Sequence, residues 1–146
     1  MPAAVQAVVD DLAAMCREAG GTPDIEDAVR RVDLNQDGHV DFVVFAGNAR
    51  CTFAASFYGD REKLLVVFAA DGNGGATEAF SDAVFGAEIE ESDDGPKLWL
   101  TTMAGQCGKP RAEYFSEESF CDRAIEWNRD TGRFQYAPLS TVRMIE

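Results

Sequence analysis

The chain has 146 residues, 46% hydrophobic and 27% charged, the balance of an ordinary globular protein, and it reads as a single domain over 1–146. Its 26 Asp and Glu against 13 Lys and Arg leave a formal charge of −13, which argues against nucleic acid and anionic membranes, since both are engaged through basic patches. No apolar run approaches the roughly 18–20 residues of a membrane-spanning helix, so a soluble chain is expected.

From Pro2 to Ala19, Val5, Val8, Val9, Leu12, Met15 and Cys16 recur at helical spacing, which predicts a helix with one buried stripe. Pro2 suits its first turn and Gly20-Gly21 its end. Short strands are expected over Ala28 to Val32 and His39 to Phe45, on either side of the acidic stretch Asp33 to Asp41. Further strands are expected at Thr52 to Tyr58, Lys63 to Ala69, Ala76 to Phe80, Val84 to Glu91 and Lys97 to Thr102, separated by glycine- and aspartate-rich breakers. The strand pattern lapses from Ala104 to Cys121 and resumes in a hairpin of Asp122 to Trp127 with Gly132 to Ala137. The predicted class is α+β: an N-terminal helix on one face of a curved, mostly antiparallel meander.

Cys16, Cys51, Cys107 and Cys121 include no close pair, and the chain has one histidine, so two disulfides are the better account than zinc. Four cysteines allow three pairings. Cys16 with Cys51 and Cys107 with Cys121 is favoured, because the second pair brackets a loop too irregular to hold itself. Disulfides imply export to the periplasm or the medium. The first residues lack the basic and apolar regions of a signal peptide, so the chain is expected to be a mature form with Met1 added to restart translation.

One stretch carries chemistry. In Asp33-Leu34-Asn35-Gln36-Asp37-Gly38-His39-Val40-Asp41, oxygen-bearing residues alternate and Gly38 permits a sharp turn, the spacing that a hard cation such as calcium requires. The stretch resembles the Asp-x-Asn-x-Asp-Gly-x-x-Asp calcium loop of integrin-type FG-GAP and VCBS repeats, in a bacterial-type exported domain. The resemblance implies side-chain ligands at Asp33, Asn35, Asp37 and Asp41, a backbone ligand at His39 and Ca²⁺ as the cofactor. It covers about a tenth of the chain, and the propeller fold of those families does not carry over, because the stretch occurs once. An EF-hand is disfavoured: its twelfth position would be Val44 in place of Glu, and a strand follows. The competing account is a metal-free turn whose Asp and Asn side chains bond their own backbone.

No catalytic set stands out. Glu88 and Glu90 share one strand face about 7 Å apart, within the range of an inverting glycosidase pair, but adjoin Glu91, Asp93 and Asp94 in what reads as a charged surface. Inside the Cys107–Cys121 loop, Tyr114 and Phe115 are candidate partner-binding anchors, since rigid aromatics dominate interfaces. The preferred expectation is a non-enzymatic exported binding protein with an acidic surface, such as an inhibitor or immunity protein for a basic secreted enzyme. The alternative is a hydrolase using clustered carboxylates beside a structural calcium site. Self-repulsion at −13 favours a monomer or weak dimer.

Overall fold

The computed structural model describes residues 1–52, 54, 57–59 and 61–145. The chain divides into two compact units, 1–83 and 84–146.

In the first unit, helix α1 (Ala3–Glu18) buries Val5, Val9, Leu12, Ala13 and Cys16. The stripe matches the spacing except at Met15, which is exposed. Left-handed Gly20 ends the helix, and the Gly21 N–H returns to the Cys16 carbonyl at 3.0 Å. Strands β1 (Pro23–Asp24), β2 (Val29–Val32), β3 (Asp41–Phe45), β4 (Arg50–Cys51), β5 (Lys63–Ala70) and β6 (Ala76–Val84) follow. A four-stranded sheet has the order β2-β3-β5-β6, and β1 pairs separately with β4. The helix packs on this larger sheet, with Val5 and Leu12 clustering with Phe42, Val44, Val66 and Phe68. Each such side chain contributes about 1.5–3 kcal/mol when fully buried, so the helix is held by its stripe and not by propensity alone.

In the second unit, β7 (Gly86–Glu90), β8 (Lys97–Met103), β9 (Phe120–Asn128), β10 (Arg133–Tyr136) and β11 (Arg143–Ile145) form one five-stranded sheet. Strands β7 to β10 run as an antiparallel meander, and β11 pairs with β9 beyond β10. Leu98, Leu100, Cys121, Ile125 and Phe134 are buried here.

The α+β class and the mostly antiparallel pairing stand, although strand dominates. Three details differ from expectation. The strands belong to separate sheets; β6 runs on to Val84, where a break before Gly86 was not foreseen; and β11 is too short for its alternation to register in sequence. The expected strand Thr52 to Tyr58 includes 53, 55 and 56, which lie outside the described residues, while Phe57 and Tyr58 form a turn. No helix among the described residues is long and apolar enough to cross a membrane.

Cys16 is bonded to Cys51 and Cys107 to Cys121, with Cα separations of 5.6 and 5.8 Å. The first fastens α1 to β4. It requires Gly21, because a Cβ there would fall on the Cys51 sulfur. Two disulfides fit a non-reducing compartment. Removing Cys107–Cys121, which spans 14 residues, should cost about 3 kcal/mol, and removing Cys16–Cys51, which spans 35, about 4 kcal/mol by loop-closure entropy. Urea unfolding of the two double-alanine variants checks the order; a larger loss from the shorter bridge would show that native contacts outweigh chain entropy.

Candidate functional site

Antiparallel pairing of Val32 with Asp41 makes the acidic stretch a loop closing the β2–β3 hairpin. Its backbone is capped from within. Asp33 Oδ1 accepts the Asp37 N–H at 3.2 Å and Oδ2 the Gly38 N–H at 2.9 Å, while Asp37 Oδ1 accepts the His39 N–H at 2.9 Å. Gln36 and Gly38 take left-handed conformations, which only glycine adopts without strain.

Asp41 behaves differently from the other acids. It is fully buried; its Oδ2 accepts the Leu34 and Asn35 N–H groups at 2.9 and 3.4 Å, and its Oδ1 accepts the Ala70 N–H at 3.0 Å from the end of β5. Burial raises its pKa, the three backbone donors pull it down, the nearby Asp37 charge raises it, and the net direction is upward. An ionised carboxylate is acceptor-only, so three converging N–H groups are its natural complement.

The donors suit a hard cation by type, since all are oxygens. Asn35 Oδ1 is buried with no hydrogen-bond partner, an orphan that a cation would satisfy. Carboxylates with about four lone-pair sites retain capacity beside the N–H bonds they accept. Yet among the described residues no three His, Cys, Asp or Glu side chains gather around one point. The loop brings Asp33, Asn35 and Asp37 into one turn, leaves the His39 ring exposed over Gly72, and turns Asp41 to the interior.

The second candidate is the disulfide-closed loop of the second unit. Cys107 and Cys121 are buried, with the Thr102 hydroxyl against both sulfurs at 3.7 and 3.5 Å. The Ala104 N–H donates to the Ser119 carbonyl at 3.0 Å, and the Ala112 N–H to Glu118 Oε1 at 3.0 Å. Arg123 braces the base through the Gln106 carbonyl and side chain. At the tip, Phe115 packs on Phe85 and edge-on to Phe120, with centroids 6.0 and 5.8 Å away. Phe115 is 37% exposed and its neighbour Tyr114 60%. Phe85 and Phe120 escaped sequence reasoning; the adjacency of Phe120 to Cys121 was the one available signal.

Glu88 and Glu90 are exposed on β7. The Arg143 guanidinium bonds both Glu90 oxygens at 2.9 and 3.2 Å and lies 3.8 Å from the Trp99 ring centroid. That bond is the largest cause of a lowered Glu90 pKa. A general acid in a glycosidase pair needs the opposite shift.

Compared with known proteins, the chain matches no family model, no curated protein and no solved structure.

Asp41→Asn should destabilise the protein by about 1–3 kcal/mol for each N–H left without an acceptor, because the new amide nitrogen only donates. Asp37→Ala, at an exposed position, should lose about 0.5 kcal/mol. Thermal melts of the two variants check this, and equal losses would refute the anchoring role of Asp41.

Proposed function

We propose that this is a non-enzymatic, exported binding protein, periplasmic or secreted, whose disulfide-closed loop engages a basic protein. The single observation that supports this most is the loop tip: Tyr114 stands out in solvent while Phe115 beside it is buttressed by Phe85 and Phe120. A rigid aromatic on a fixed base loses little conformational entropy on docking, which is what an interface anchor needs. Exposed Glu113 and Glu117 flank the pair, beside exposed Lys109 and Arg111 earlier in the loop, and the whole chain carries −13, which favours a basic partner. An inhibitor or immunity protein for a basic secreted enzyme is the concrete form of this reading.

Calcium at the acidic turn belongs to the same proposal. Asp33, Asn35, Asp37, Asp41 and the His39 carbonyl would hold it, and its role would be to stiffen the β2–β3 loop. The orphaned Asn35 oxygen supports it.

Binding to a panel of basic secreted proteins tests the first part. Tyr114→Ala should weaken the interaction by roughly 2 kcal/mol, about 30-fold, as a central aromatic anchor does. A variant that binds as tightly as the parent would overturn the assignment. Calorimetry tests the second part: calcium should bind with Kd on the order of 10⁻⁴–10⁻³ M, the range of extracellular modules. Asp37→Ala should abolish the heat signal, and no signal up to several times that concentration would leave the loop a metal-free turn.

A further inference from the structure

The glycine-rich turn between β5 and β6 supports a reaction intrinsic to the chain. Four asparagines occur, Asn35, Asn48, Asn73 and Asn128, and only Asn73 is followed by glycine. When a backbone amide attacks the side-chain carbonyl of the preceding asparagine, a five-membered imide forms, and a Cβ on the attacking residue is the main obstruction. Gly74 has none, and beyond its chain neighbours nothing lies within 4 Å of where a Cβ would stand, so no other part of the protein packs over that side of the attacking residue.

Local structure separates Asn73 from the other three. Its residue and Gly74 are both exposed. Asn128 is locked: its Oδ1 accepts the Asp130 and Thr131 N–H groups and its amide donates to Gln135. At Asn48 the following nitrogen, Ala49, is already donating to the Ala46 carbonyl at 3.1 Å. The Asn35 carbonyl oxygen is buried.

We propose that Asn73 is a site of spontaneous deamidation in the folded protein, and that the product alters the turn packed against His39. The Gly74 nitrogen bonds to the Asn73 Cγ, the Cγ–Nδ2 bond breaks, and ammonia leaves carrying the proton lost by the Gly74 nitrogen. Water then opens the imide at either carbonyl, giving aspartate or isoaspartate and one new negative charge. No oxidant or metal takes part.

The turn is poorly placed to absorb the isoaspartate. Asp71 Oδ1 accepts the Asn73 N–H at 2.7 Å and the Gly75 N–H at 3.1 Å, and the Asp71 N–H closes on the Gly75 carbonyl at 3.0 Å. An extra main-chain methylene at position 73 lies inside that ring of bonds. Gly72, one residue earlier, lies so close under the His39 imidazole that a Cβ would come within 2.8 Å of its Nε2. Lengthening the turn therefore displaces the imidazole.

The test incubates the intact folded protein in warm, mildly alkaline buffer and follows it by peptide mapping and ammonia release, with a free peptide of the Ala70–Ala76 sequence alongside. Conversion concentrated at Asn73, accompanied by equimolar ammonia that Asn73→Gln abolishes, is expected. Retention of the Asn73 amide in the folded protein overturns the proposal whether or not the free peptide reacts, as does equal conversion at the other three asparagines. The His39 ring signals, read by NMR on the separated isoaspartate form, should shift; unchanged signals would overturn the coupling to the loop.

Discussion

The Asp41 carboxylate accepts N–H groups from Leu34 and Asn35 on one oxygen and from Ala70 on the other, joining the start of β3, the acidic loop and the end of β5. The donors lie up to 29 residues from Asp41 in sequence, and the carboxylate gives each of them a buried or half-buried acceptor. The β3 strand that begins at Asp41 is buried along its whole length and forms the surface on which α1 rests. Loop conformation, strand register and helix seat in the first unit therefore all depend on one acid being held in place.

Side-chain caps recur at the other turns. Asp33 and Asp37 close the acidic loop, Asp71 closes the β5–β6 turn, and Asn128 closes the β9–β10 turn by accepting two backbone N–H groups. Part of the acidic excess thus has a structural role at reversals of the chain, where Asp and Asn compete effectively for backbone donors. The β5–β6 turn combines such a cap with three glycines, which makes it tight and chemically exposed together.

The second unit stabilises an irregular stretch by other means. Between Ala104 and Ser119 only short helical turns form, so few backbone groups pair with one another. The Cys107–Cys121 bond, the Arg123 brace and the three-phenylalanine cluster supply what a ladder would have supplied. The outcome is a loop that is fixed at its base and presents a tyrosine at its tip.

Much of this was legible in the order of residues. Apolar spacing over Val5 to Cys16 specifies a one-sided helix, Gly20 and Gly21 specify its end, and β-branched runs bounded by glycine and aspartate specify most strands, because local periodicity and turn chemistry act within a few residues. The cysteine pairing was also readable, since an unstructured loop bracketed by two cysteines has a natural partner at each end. Tertiary structure decided the rest. Asp41 has the spacing of a metal ligand, and only the fold shows that it is buried against the β5 end and accepts backbone N–H groups there. Phe115 gained its footing from Phe85, thirty positions away, and Glu90 gained Arg143 from a strand too short to announce itself. Such contacts join residues whose separation carries no periodic signal, so the sequence names the participants and only the fold brings them together.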